Sequence, residues 1–264
     1  MLFRSCKEMP AHELAIVALA GVPLVEPGDD LSSLIIESSK ANRFDPQLGD
    51  VLVVAQKIVS KAEDCYVSLA EVIPSDSATV LAVEVDKDPR VMEVLLAQSR
   101  TLLRKRPGVV IAEHHTGHVL ANAGIDTSNI LQDQNGRVLC WPNDPDLSAK
   151  RLSQKLSEYF SVPVPVIIND SIGRAWRLGT IGQAIGCYGL DPLWCQIGEL
   201  DLMGNELRVT EAATADAIAA AASLLQGEAA EGRPIVWLRG CPHKVTNVRP
   251  ATALLRDRSL DMFR

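Results

Sequence analysis

The chain predicts an α+β fold in which mixed β-sheets carry flanking helices, in one unit with room for two lobes. Three observations predict it. Strand-like and helix-like patterns alternate along all 264 residues, with no repeats, low-complexity tracts or evident linkers. The apolar run at residues 162–168 has the length and β-branched content of a buried strand. Hairpin signals stand at Thr116-Gly117 and at Met203-Gly204-Asn205, so antiparallel pairing is expected as well.

Residues 14–20 read as an opening strand, and Gly21, Val22, Pro23 and Leu24 as a turn in which glycine and proline set the backbone direction. Asp29 or Asp30 caps a helix whose inner face carries Leu31, Leu34, Ile35 and Ser38. Gly49-Asp50 turns the chain into VLVVAQKIVSKAE (51–63), a strand that begins apolar and ends with Lys57, Ser60 and Lys61. Asp88-Pro89 starts a helix with proline at its first position, followed at helical spacing by Val91, Val94, Leu95, Ser99 and Leu102. The hairpin GVVIAEHH and HVLANAGI leads into GIDTSN (124–129). Asp146 caps a further helix, marked by Ala149, Leu152, Leu156 and Tyr159, which delivers the chain to the central strand.

That strand is expected to stop at Asn169-Asp170-Ser171. A glycine-rich bend then follows, with Gly173, Gly179, Gly182 and Gly186, and carries Arg174 and Arg177. Residues 200–209 read as the second hairpin. An alanine-rich helix runs from Thr210 to about Gln226 and ends at Gly227, where a left-handed backbone is permitted. A strand at 235–238 precedes the tail.

Composition narrows the function classes. Hydrophobic residues at 47% and charged residues at 22% are ordinary for a soluble globular protein. A formal net charge of −7 argues against nucleic-acid binding, though not against a local basic pocket. Six cysteines without a CxxC pair indicate a reduced, cytoplasmic chain rather than a disulfide framework or zinc site. The apolar patch at 14–20 follows Glu8, His12 and Glu13. It is too short for a membrane span and poorly built for a signal peptide.

Three acids fall at element ends: Asp126 after the first hairpin, Asp170 at the end of the central strand and Glu228 just past the long helix. Carboxylates delivered from separate elements are what a divalent cation on a nucleotide requires, and Ser171 adds a hydroxyl. The arginines of the bend can grip phosphate or carboxylate oxygens. The same residues also read as solvated turns and helix caps, and neither GxxxxGK[ST] nor GxGxxG occurs. His114, His115 and His118 flank a hairpin tip, where alternation sends adjacent side chains to opposite faces, so a structural or solvated role is expected. Cys187 and Cys195 carry no nucleophile signal. Trp141 and Trp176 can stack on a planar ligand, with core or rim packing as the default.

The pieces GVPLVEPGDDL (21–31), VLVVAQKIVSKAE (51–63), NAGIDTSN (122–129), IINDSIGRAWRLGTIGQAIG (167–186) and DLMGNELRVTEAATADAIAAAASLLQGEAAEGRP (201–234), with IVWLRG near the end and DMFR at the close, resemble the coenzyme F-420-0:L-glutamate ligase (gamma-glutamyl ligase) family. They cover nearly the whole chain in order. The resemblance implies one ligase domain over 1–264 with no C-terminal reductase domain. It implies GTP-dependent addition of L-glutamate to a deazaflavin coenzyme precursor, F-420-0, in coenzyme F-420 biosynthesis.

GTP contacts are implied at Gly21, Val22, Pro23, Leu24, Gln56, Lys57, Lys61 and Asn129. A further contact loop is implied at Gln226, Gly227, Glu228, Ala229, Ala230, Glu231, Gly232 and Arg233. One divalent cation, magnesium or manganese, is implied on Asp126 and Asp170, and a second on Ser171 and Glu228. Potassium is implied as a helper and a homodimer as the assembly. Asp64-Cys65 replaces a usual Gly-Arg, Ala175 a common proline and Ser171 a threonine. With Lys61 and Arg174 holding the transferring phosphoryl group, the catalytic candidates are Asp126, Asp170, Lys61 and Arg174. Two alternatives remain: a metal-dependent small-acid phosphotransferase and a non-catalytic nucleotide-binding subunit.

Overall fold

Side chains that alternate between two covered faces build the principal sheet. The structure, a computed structural model, describes residues 12–130, 136–242 and 248–262. In chain order its elements are β1 (Ala15–Ala18), α1 (Leu31–Ala41), β2 (Val51–Ala55), α2 (Gln56–Ala62), β3 (Tyr66–Ser68), α3 (Asp76–Val85), α4 (Pro89–Gln98), β4 (Ser99–Arg106) and β5 (Val109–His114). There follow β6 (Val119–Ala121), β7 (Arg137–Leu139), α5 (Pro145–Phe160), β8 (Val166–Arg174), β9 (Arg177–Tyr188), β10 (Leu193–Cys195), β11 (Glu211–Ala213), α6 (Thr214–Gln226) and β12 (Ile235–Arg239). Helices and mixed sheets make this the expected α+β fold. Among the described residues no helix is long and apolar enough to cross a membrane.

Five strands lie in the order β1-β12-β2-β8-β9, with β2 and β8 parallel and the other neighbours antiparallel. Leu52, Val54, Val166 and Ile168 face one apolar cluster with Ile35 of α1 and Leu152 and Leu156 of α5. Val51, Val53 and Ile167 face the other, against Ala215, Ile218, Ala219 and Ala222 of α6. Burial on both faces explains why these strands read as unbroken apolar runs. A second, antiparallel sheet, β4-β5-β6, packs under α3 and α4 through Leu81, Met92, Leu95, Val110 and Ala112.

Several expectations require correction. Residues 51–63 do not form one strand: β2 ends at Ala55, and α2 begins at once. Gln56 Nε2 donates to Ser60 Oγ at 2.6 Å across one helical turn, and Ile58 and Val59 turn into the core. The change of period places Lys57 and Lys61 on one helical face. The helix from Pro89 stops at Gln98 because Ser99 leaves helical geometry and donates its hydroxyl to Leu95 O; Ser99 and Leu102 then belong to β4. α5 is capped by Asp144, not Asp146. Asp146 instead accepts the backbone N–H groups of Cys187 and Ala251, each at 2.8 Å.

The largest correction concerns the central strand. β8 does not stop at Asn169 but continues through Asp170 and Ser171 to Arg174, and the glycine-rich stretch is its hairpin partner β9. Two of those glycines serve close packing. A Cβ on Gly182 would stand 2.6 Å from Ala219 O, and one on Gly186 2.4 Å from the Pro145 backbone. They admit α6 and α5 against the strand rather than cradling an anion. The expected hairpin at 200–209 is reduced to a bridge between Leu200 and Glu206, with the paired strands β10 and β11 outside it. α6 accordingly starts at Thr214, not Thr210.

Candidate functional site

The parallel pairing of β2 with β8 ends where Ala55 stands opposite Asn169, and β8 runs on from there along the floor of a cleft of about 670 Å³. The carboxyl ends of adjacent parallel strands are where α/β sheets open to ligands. Four segments close around this point: the loop at 22–25, the first turns of α2, the segment at 124–130, and the loop that follows α6. Val22, Pro23, Leu24, Gln56, Lys57, Lys61, Asp126, Asn129, Asp170, Ser171, Gln226, Gly227, Glu228, Ala229, Ala230, Gly232 and Arg233 all line it. Residues remote in sequence, anticipated for their polar chemistry or by the resemblance, therefore share one surface.

Three anticipated residues do not line it. Gly21 stands just outside, next to Val22. Glu231 turns back to accept Ala229 N at 2.8 Å, holding the shape of its own loop. Arg174 lies at the far end of β8, opposite Arg177, with a guanidinium nitrogen 3.4 Å from Leu178 O. The extension of β8 past its expected end carries Arg174 away from the carboxylates.

Asp126 is fixed by a backbone bridge to Leu139, with N–O distances of 2.9 and 3.0 Å. Its Oδ1 accepts from Lys57 Nζ, while Oδ2 is buried without a hydrogen-bond partner. Burial pushes its carboxyl upward, opposed by the charges of Lys57 and Lys61. Asp170 projects from the middle of β8 to the same place. Trp141 Nε1 donates to its Oδ2 at 2.9 Å and Ser171 N to its Oδ1 at 2.8 Å. Burial, and then the charge of Asp126, push Asp170 up to about 6. Lys61 is pulled below the usual lysine range by burial and by Lys57.

Beside this pair, Ser171 Oγ donates to Glu228 Oε1 at 2.7 Å. Glu228 is delivered by Gly227, whose φ of 72° and ψ of 177° fall in a region that only glycine uses readily. The buried bond from Asn169 Nδ2 to Gln226 Oε1, 2.6 Å, joins β8 to the end of α6 just before that turn. Across the cleft, Asn129 Nδ2 donates to Ala229 O at 3.1 Å.

The donor set suits a hard cation at Asp126 and Asp170, where two neighbouring carboxylates include one oxygen with no partner. Among the described residues no group of three or more His, Cys, Asp or Glu side chains converges as a metal cluster. The three acids and one hydroxyl anticipated as ligands stand as two pairs, Asp126 with Asp170 and Ser171 with Glu228. His114 and His118 pack against Trp141, with ring centroids 5.0 and 5.4 Å away, and His115 bonds Ala97 O. Trp141 is buried in the core, whereas Trp176 is exposed at the hairpin tip. No spacing rule points to Trp141 as the partner of Asp170, nor to Leu120, Ala121 and Ile172 as cleft walls; only the tertiary path of β6 and β8 brings them there.

The chain falls in the class of amide-forming glutamate ligases. The model of the F420-0:Gamma-glutamyl ligase family matches residues 21–240, and the chain belongs to that family. It is 41% identical over 255 residues to the coenzyme F420:L-glutamate ligase of Methanothermobacter thermautotrophicus, covering 95% of this chain and 99% of the relative. It is 42% identical over 257 residues to the ligase of the same name from Methanopyrus kandleri, again covering 95% and 99%. The counterpart from Methanosarcina mazei is 36% identical over 248 residues, 94% of each chain.

Proposed function

We propose that this protein is a GTP-dependent ligase that adds L-glutamate to the deazaflavin precursor F-420-0, through an acyl phosphate, in coenzyme F-420 biosynthesis. Family membership supports glutamate ligation. The observation that carries the finer reading is the convergence of Asp126 and Asp170 with Lys57 and Lys61 in one cleft. A carboxylate and an amine do not condense unaided in water, so the acid must first gain a leaving group. In the proposed sequence a carboxylate oxygen of the precursor attacks the γ-phosphorus of GTP and GDP departs. The amine of glutamate then attacks the acyl carbon, phosphate leaves with the C–O bonding pair, and the amine proton passes to solvent.

Asp126 with Asp170, and Ser171 with Glu228, are the residues that would hold two divalent cations, magnesium or manganese. Such cations would supply positive charge to phosphate oxygens during transfer. Lys57 and Lys61, one helical turn apart, present their ammonium groups to the same space. Val22, Pro23 and Leu24 with the loop at 226–233 form walls for the nucleotide. Arg174 stands at the end of β8 outside the cleft lining, so in this scheme the phosphoryl contacts fall to Lys57 and Lys61. No side-chain nucleophile is needed.

The proposal extends to potassium as a helper, a cytoplasmic setting and a homodimer. Exposed apolar side chains, Trp176 and Leu178 at the β8–β9 hairpin and Leu202 and Met203 in the loop between β10 and β11, support self-association, which light scattering would test. Mass spectrometry of a reaction with GTP, glutamate and precursor should show glutamyl product and GDP together. GDP formed at full rate without glutamate would favour a small-acid phosphotransferase, and neither product would favour a binding subunit.

A further inference from the structure

We propose that Trp141 is a positioning residue for the Asp170 carboxylate, and that Gly124 is a glycine because no other residue admits the indole. The two oxygens of Asp170 have different donors. Ser171 N, in the same strand, holds Oδ1 at 2.8 Å, and Trp141 Nε1 holds Oδ2 at 2.9 Å. The carboxylate plane is thereby fixed from two sides.

The indole has little freedom to leave this position. Trp141 is 2% exposed, with the His114 and His118 rings against it. Thr116 Oγ1 ties those two histidines together through their Nδ1 atoms, at 3.0 and 2.8 Å. On another side lies Gly124, where an added Cβ would stand 2.5 Å from Trp141 Nε1 and 2.6 Å from Cε2. That glycine also holds a φ of +69° and lies two residues before Asp126. The indole therefore spaces the segment that bears Asp126 from the strand that bears Asp170.

Charge explains why the donor is an indole. Asp126 is paired with a cation, Lys57, which competes for its negative charge. Trp141 is neutral: it orients Asp170 and leaves the full charge for a metal ion. Partners of this kind, one step removed from a metal, govern affinity through ligand orientation. The inference rests on the reading that Asp126 and Asp170 hold a divalent cation.

The test replaces Trp141 with β-(3-benzothienyl)alanine, which keeps the bicyclic shape but has sulfur in place of the N–H donor. Trp141→Phe serves as the genetically simple companion. Mn²⁺ binding to the protein without nucleotide is followed by electron paramagnetic resonance, alongside thermal melts. We expect the isostere to melt close to the parent and to bind Mn²⁺ about tenfold more weakly or worse. On an Asp170→Asn background the same replacement should add little further loss, because both changes act on one ligand. Unchanged Mn²⁺ affinity in a folded isostere would overturn the positioning role while leaving the metal reading intact. A parent protein that ligates glutamate yet binds no Mn²⁺ at this pair would overturn both.

Discussion

The two polar pairs of the cleft face the same space from different depths. Asp126 and Asp170 are drawn into the protein by a backbone bridge, an indole and a lysine, and burial raises both carboxyl groups. Ser171 and Glu228 meet near the surface, and Glu228 comes from a loop whose course depends on one glycine. The deep pair stores electrostatic cost, because burial and mutual repulsion oppose ionisation of both carboxyls and Lys57 offsets only part of this. The shallow pair stores little, since its hydroxyl and carboxylate already satisfy each other. The difference predicts that substitutions in the deep pair separate activity from stability most sharply.

Asp170→Asn should break the comparison at its strongest point. Loss of an outer partner of a metal ligand typically costs about 10–100-fold, so loss of the ligand should lower turnover by at least about a hundredfold. Stability should move much less. The folded carboxyl is raised to about 6, above its ordinary 3.8, so its contribution is fully present below that ordinary value. It is lost as pH rises through about 6, and at neutral pH the ionised group is a burden that asparagine removes. Asparagine has one acceptor oxygen where the carboxylate has two, so its NH2 group must face Ser171 N or Trp141 Nε1. This cost offsets the relief of charge, and the expected melting temperature at pH 7 is close to the parent's. A folded variant that turns over normally would refute the assignment.

The shallow pair should respond more gently. Gly227→Val forces a β-branched residue to positive φ, with its Cβ 2.2 Å from Glu231 Cδ. Strain of this kind costs roughly 1–3 kcal/mol, so the variant should melt lower and lose turnover as Glu228 is displaced. Glu228→Gln keeps the acceptor for Ser171 and removes only the charge. We expect an unchanged melt, turnover down about tenfold (~1.4 kcal/mol) and a weaker response to added metal. An unchanged metal requirement in Glu228→Gln would reduce the cleft to a one-cation site.

Much of this comparison is legible in the sequence, and the limits of legibility are physical. Asp126, Asp170 and Glu228 are visible because acids beside glycine turns and apolar runs are conspicuous. The cleft-facing lysines are visible as residues but not as a helical face. Residues 51–63 begin as β-branched and apolar, and nothing local marks the switch at Gln56 from period 2 to period 3.6. The glycines of β9 signal a flexible bend, whereas their cause is the approach of α5 and α6, a long-range contact. That misreading displaces Arg174. Trp141 is unreadable for a similar reason: its partner is 29 residues away on another element.

The smallest effect at neutral pH belongs to the histidines that brace Trp141. Burial holds His114 and His118 down at about 4, with His115 and Arg100 adding to the effect at His114. Both are neutral in the folded state at pH 7, and nearly so in the unfolded state. His118→Asn retains a polar atom near Thr116 and should change turnover and stability little there. Acid separates the two proteins. Between about 6.5 and 4 the unfolded chain binds a proton at residue 118 that the folded chain refuses. Stability therefore rises with pH across that window, by up to about 1.4 kcal/mol per pH unit for each histidine. Asp170 contributes in the opposite sense over part of the same range, so the difference between parent and variant is the quantity to read. Urea unfolding from pH 4.5 to 7 should show the His118→Asn protein losing less stability on acidification. Parallel pH profiles would mean that His118 already accepts its proton in the folded protein, and the dry packing around Trp141 would have to be abandoned.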